Sequence, residues 1–142
     1  MGTYIAWANI EAVFGADNVA AWSDLSGGQT ADTGRITSAI SWAEAWVEAR
    51  FRRSEYAVPF VIVSGTYDPL LIDWCANLAG YWLYRSRGVR RSRRGGEDAG
   101  LDFVKDEYDR VQSEIAQAIA GPLKLNLGLV ASESPTAPQI VT

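Results

Sequence analysis

Six arginines fall within ten residues, Arg85, Arg87, Arg90, Arg91, Arg93 and Arg94, and no other stretch of the chain concentrates reactive side chains so densely. Guanidinium groups at that density suit phosphate or carboxylate partners, because each planar fork can make two parallel hydrogen bonds to such a group. Immediately after them, Glu97, Asp98, Asp102, Asp106, Glu107 and Asp109 are set against one base, Lys105. The basic run has three readings: contact with nucleic-acid phosphates, docking onto an acidic protein surface, or a solvated loop that offsets the acidic helix behind it. Between Arg85 and Gly96 there is neither an interleaved aromatic nor a recognition-helix pattern, which argues against direct base readout.

The other side chains offer little to a catalyst. The chain has no histidine, which removes the usual general base, the commonest zinc ligand and every Ser–His or Cys–His nucleophile pair. Its one cysteine, Cys75, cannot form an intramolecular disulfide and sits at apolar helical spacing, as a core thiol does. Asp102, Asp106 and Asp109 share one helical side, but no Gly-bearing calcium loop accompanies them. Gly27-Gly28 and Gly95-Gly96 lack the surroundings of a phosphate-binding loop. No enzyme, metal or cofactor is expected.

These groups must be carried by a single domain of 142 residues, 48% hydrophobic and rich in aromatics, with six Trp and six Tyr, which is too apolar for a disordered chain. Its net charge is −4, so the residues outside the arginine run carry −10. Eleven of the thirteen bases are Arg, the residue suited to partly desolvated interface pairs. No apolar run approaches a bilayer span, and the N-terminal stretch lacks a basic, signal-like start. Gly2 fits the lead into a helix better than an acylation signal.

Periodicity predicts a mainly α bundle of about five helices, two short and three long, over residues 1–122, followed by an extended C-terminal strand or arm over 123–142. The short helices span Tyr4 to Phe14, stopped by Gly15, and Asp17 to Trp22. A long helix from Asp32 or Thr33 to Phe51 buries a stripe of Ile36, Ala39, Ile40, Ala43, Val47 and Arg50. Trp42 and Trp46 sit on the shoulder of that stripe, as an interface anchor or as the edge of a monomer core. Val61-Ile62-Val63 reads as a brief strand. Asp68-Pro69 starts a central helix to Tyr84 or Arg87, with a narrow polar side at Asp73, Asn77 and Gly80. The last helix runs from Asp98 to Ala120 on a face of Leu101, Val104, Tyr108, Val111, Ile115, Ala118 and Ile119. Beyond Gly121-Pro122, Leu123, Leu125, Leu127 and Leu129 alternate with polar or small residues. This strand pattern needs a partner, either a neighbouring chain or the helices of its own.

The order of these pieces carries a resemblance. Tyr4 to Gly15 leads into a long helix closing on Arg50-Phe51, then Tyr56-Ala57-Val58-Pro59-Phe60. Asp68-Pro69 opens a helix that closes on Tyr81-Trp82-Leu83-Tyr84-Arg85, and Ile119-Ala120-Gly121 leads into the leucine segment up to Leu129. The chain resembles the head–tail connector (adaptor, neck) proteins of tailed bacteriophages, in particular the Mu-like group. The resemblance implies a virion protein of the neck, assembled in the host cytoplasm, that forms a ring with copies of itself, commonly twelve. That ring would lie under the portal protein, complete the head, and offer a platform to a tail-proximal neck or tail-terminator protein, with DNA passing through its lumen without sequence-specific binding and no membrane involved. It further implies a portal-binding arm at Leu123, Leu125, Leu127 and Leu129. The two unlike charge patches suit a ring contact, the arginine cluster against Asp102, Asp106 or Asp109 of a neighbour, or else arginines facing lumenal DNA. The alternative is a helical DNA-binding or regulatory protein using Arg85–Arg94 on phosphates.

Overall fold

The computed structural model describes residues 2–26, 28–87 and 95–130, with the backbone alone for 95–102. Five helices follow one another: α1 (Trp7–Phe14), α2 (Ala16–Ser23), α3 (Thr33–Phe51), α4 (Pro69–Arg85) and α5 (Gly95–Ala120). The architecture is the mainly helical one that periodicity predicts. No helix among the described residues is long and apolar enough to cross a membrane.

Local chemistry explains the boundaries. Asp32 caps α3 by accepting from the Arg35 N–H at 3.1 Å, and Asp68 caps α4 by accepting from Leu70 at 2.8 Å, with Pro69 at the first helical position. Gly15, at φ +91°, separates α1 from α2 in a conformation that side chains with a Cβ rarely adopt. The first helix begins three residues later than its sequence suggests. Tyr4 and Ile5 are non-helical and buried instead, with a bend at Thr3 and Tyr4, held by an acceptor from α3: the Glu44 carboxylate takes the backbone N–H groups of Thr3 (3.0 Å), Tyr4 (2.7 Å) and Ile5 (3.0 Å). The Tyr4 hydroxyl donates to Glu48 and accepts from the Phe60 N–H at 3.0 Å. Burial, and after it Glu48, pushes the Tyr4 phenol well above its usual range.

Helix α4 is the centre of the molecule, and each of the other four helices packs on it. Leu71, Trp74, Leu78 and Leu83 are fully buried, each aliphatic one contributing about 1.5–3 kcal/mol relative to exposure. The expected polar side of α4 is largely covered, with only Asp73 partly exposed. Gly80 lies against the Phe14 ring, Asn77 is buried and donates to Asp73, and Asp73 pairs with Arg110 of α5 at 3.0 Å. Cys75 is buried, and burial pushes its thiol well up. Two further expectations fail at the edges of stripes. Arg50 is exposed, because the stripe of α3 continues through Glu44 to Phe51 instead, and Ile119 remains 38% exposed near the end of α5.

The leucine segment finds its partner within its own chain. Residues 126–130 run antiparallel to 55–63 through the bridges Tyr56↔Leu129 and Ile62↔Leu127. Gly128 donates to the Val61 carbonyl at 2.9 Å and accepts from the Ala57 N–H at 2.9 Å. Both pieces of 55–63 therefore lie on one edge of 126–130, with residues 58–60 looped out between them. Leu125 and Leu127 are buried in the common core, so residues 123–130 belong to the helical body and do not stand off it.

Candidate functional site

On α3, Trp42, Trp46 and Arg50 follow one another at intervals of four, which brings them to one side of the helix. Tyr81 and Arg85 have the same relation on α4, and Tyr108 of α5 reaches between the two. The Tyr81 and Tyr108 rings stack at 4.0 Å, Tyr108 meets Trp46 at 6.4 Å, and Trp46 meets Trp42 at 6.4 Å. All four rings are half-buried, so they close the seam between α3 and α5 and still present area to solvent.

Arginines cover this strip and its surroundings. The Arg50 guanidinium lies 4.1 Å from the Trp46 ring centre and Arg85 lies 5.5 Å from Tyr81; next to them, Arg35 is 5.0 Å from Trp82 and Arg87 is 3.9 Å from Tyr84. Each such contact is worth about 0.5–1 kcal/mol at an exposed site, and it orients the guanidinium while leaving its N–H edge available. Arg35 spends its Nη2 on the Ser86 carbonyl (2.7 Å) and hydroxyl (3.0 Å), which ties the start of α3 to the end of α4. Arg50 and Arg85 make no ion pair among the described residues. Trp, Tyr and Arg are the residues most enriched where protein interfaces concentrate their binding energy.

The predicted site residues are placed as follows. Arg85 lies over the strip and Arg87 lies next to it, over Tyr84 on the α2 side, whereas Arg90, Arg91, Arg93 and Arg94 lie outside the described residues, as does the side chain of Asp102. Asp106 is exposed, and Asp109 pairs with Lys105 at 3.3 Å on an exposed face. The other acids of α5 are engaged elsewhere: Arg110 holds Glu107 (2.7 Å), Glu114 (3.0 Å) and Asp73 (3.0 Å), and the Trp74 indole donates to Glu114 at 2.9 Å. These carboxylates, Glu107 foremost, keep the guanidinium firmly in its charged form. Trp42 and Trp46 both serve the strip. Of the four leucines, Leu125 and Leu127 are core residues, Leu123 is half-buried and Leu129 is 58% exposed.

Arg50, Tyr81 and Tyr108 were not singled out as site residues by sequence reasoning, and Glu44 was missed as a buried anchor. Arg50 and Glu44 had a legible signal: Arg50 is four residues from Trp46, and Glu44 occupies the apolar stripe of α3 four residues from Ile40. The pairing of Tyr81 with Tyr108 is a tertiary contact between separate helices and has no local trace. A shallow hollow lined by Arg52, Tyr56, Ala57, Val58 and Val130 offers a cation but no carboxylate or nucleophile to work with it.

No curated protein and no solved structure matches the chain. A family model does, the one described as bacteriophage Mu, Gp36, over residues 4–141. That match takes in the five helices, the aromatic strip and the leucine segment together, and the chain therefore belongs to the Gp36 family of Mu-like bacteriophages.

Proposed function

We propose that this phage protein is a structural subunit of the virion neck, a head–tail connector that assembles as a ring under the portal and gives the tail its attachment platform. Membership of the Mu Gp36 family carries this reading. It is supported by a surface made of half-buried Trp and Tyr under unpaired arginines, which suits protein contact. In this reading the chain is not an enzyme, its partners are its own copies, the portal and a tail-side neck or terminator protein, and DNA passes through without base contacts. Because Leu125 and Leu127 are held in the core and Leu129 is bridged to Tyr56, the part offered to the portal starts after Val130. The informative truncation is therefore one after Val130, since a cut after Gly121 also removes core residues.

Inactivating the gene in the phage that carries it tests the proposal. DNA-filled heads and free tails should accumulate, and supplying the wild-type chain should restore joined particles. Normal tailed particles without the protein would overturn it. The alternative, phosphate binding by the arginine run, draws support from the rings under Arg85 and Arg87, since arginine over aromatics also suits single-stranded nucleic acid. A salt titration separates the two: phosphate binding falls steeply with salt, while a connector shows no specific affinity to lose.

A further inference from the structure

The first 34 residues contain Glu11, Asp17, Asp24 and Asp32 and no basic residue at all. They build α1 and α2, whose own charged side chains are all acidic, with Arg87 bordering them over the Tyr84 ring that meets Trp22. Glu11 and Asp17 make no ion pair among the described residues. Apolar groups open to solvent adjoin these helices: Phe103 of α5 is 50% exposed with its ring against Phe14 of α1, and Leu25, just after α2, is 54% exposed.

This acidic surface and the arginine–aromatic strip are different faces of one subunit. The α4 residues beneath α1 and α2 are Gly80, against Phe14, and Tyr84, against Trp22. The α4 residues in the strip are Tyr81 and Arg85, about 100° further round the helix. Helix α5 stands between the two faces, sending Phe103 to one and Tyr108 to the other. A surface with unpaired cations on aromatic rings and another with unpaired acids beside exposed apolar side chains complement each other. They cannot meet within one molecule. Contact between copies through unlike faces is heterologous and propagates from subunit to subunit.

From this complementarity we infer that the strip formed by Trp42, Trp46, Tyr81 and Tyr108, with Arg50 and Arg85, receives the acidic α1–α2 face of a second copy of this chain. The inference rests on the connector reading for its biological setting, but it concerns self-association and is tested separately. The contact is distinct from any made by Arg90–Arg94, and it gives each copy one donor face and one acceptor face.

A charge exchange between two variants tests it. Arg50→Glu/Arg85→Glu makes both faces acidic, and Glu11→Arg/Asp17→Arg makes both basic. Sedimentation of the wild-type chain up to about 1 mM should show concentration-dependent association, a range in which even a millimolar contact registers. Each variant alone should associate at least about thirtyfold more weakly, since like charges are then apposed. An equal mixture of the two should recover association, because each reversed face meets its opposite on the other variant. Circular dichroism melts matching the wild type guard against misfolding, and a variant that misfolds is replaced by Arg50→Gln/Arg85→Gln or Glu11→Gln/Asp17→Gln, expected to weaken association less. The inference is overturned by a wild-type chain that stays monomeric, by variants that associate as the wild type does, or by a mixture no better than its parts. It is also overturned if the strip variants lose binding to a DNA oligonucleotide while self-association is unchanged. Failure here leaves the neck reading standing, because loss of head–tail joining on gene inactivation does not depend on which faces meet.

Discussion

Replacing Glu44 should loosen the N-terminal segment and destabilise the whole domain. Its carboxylate is the acceptor for three successive backbone N–H groups, and two of them, those of Tyr4 and Ile5, are buried. In Glu44→Ala the Thr3 N–H can turn to water, whereas the other two donors lose their partner where water does not reach. At about 1–2 kcal/mol for each buried donor left unpaired, and somewhat more because the lost bonds were to a charged acceptor, the cost comes to about 3–4 kcal/mol. Relief from burying a carboxylate that is only 8% exposed offsets part of this and places the expectation near 3 kcal/mol. Glu44→Gln keeps one carbonyl acceptor but turns an NH2 group towards another donor, so its cost should be about 1–2 kcal/mol. For a domain of this size Glu44→Ala should lower Tm by about 10 °C. Urea denaturation followed by both tryptophan fluorescence and circular dichroism measures the free energies, and amide exchange at Tyr4 and Ile5 reports on the segment itself. A loss below about 1 kcal/mol in Glu44→Ala, with those amides still protected, would refute the reasoning, because the carboxylate would then not be what holds the segment down.

Three further outcomes follow from the core. Tyr4 and Cys75 both have proton affinities raised by burial, so the folded state keeps protons that the unfolded chain gives up. Stability is therefore full below about pH 8.5 and declines as pH rises through the unfolded thiol and then the unfolded phenol near 10; Tyr4→Phe should flatten the upper part of that slope in urea titrations at pH 9–11, and an unchanged slope would count against it. The same burial should keep Cys75 from reacting with a thiol reagent at pH 8 until the protein unfolds, and prompt reaction of the native chain would show that α4 is not sealed. Gly80→Ala sets helix propensity against packing: propensity alone favours Ala by about 1 kcal/mol, but the added methyl would overlap the Phe14 ring, so a net loss of about 1–2 kcal/mol is expected in denaturant melts, and a gain would mean that α1 moves away freely.

Much of the fold could be read locally. Helices α3, α4 and α5 are announced by caps and by apolar spacing, since Asp32, Asp68-Pro69 and Gly121-Pro122 act within a turn of where they stand. The arginine run and the acidic stretch after it are equally plain in the sequence. The choice of partner for each element is what local patterns leave open. Alternating leucines require a strand partner, but only the packed chain shows that Tyr56 and Ile62 supply it. Non-helical backbone at Tyr4 and Ile5 displaces the expected helix because a carboxylate forty residues away satisfies its N–H groups, a bond with no neighbour in sequence to signal it.

The candidate site divides in the same way. Trp42 and Trp46, four residues apart, could be placed on the shoulder of the buried stripe from spacing alone. That Tyr108 and Tyr81 extend them into a strip, and that Arg50 and Arg85 lie over its rings, depends on how α3 and α5 flank α4. Sequence by itself determined the helical class, the charge asymmetry and the want of histidine chemistry, because composition and short-range periodicity are properties of the chain. Tertiary structure alone decided which arginines rest on rings, which acids are already paired, and which leucines are core. Those outcomes come from side chains brought together by packing from distant positions, where burial and pairing fix what each group can still offer to a partner.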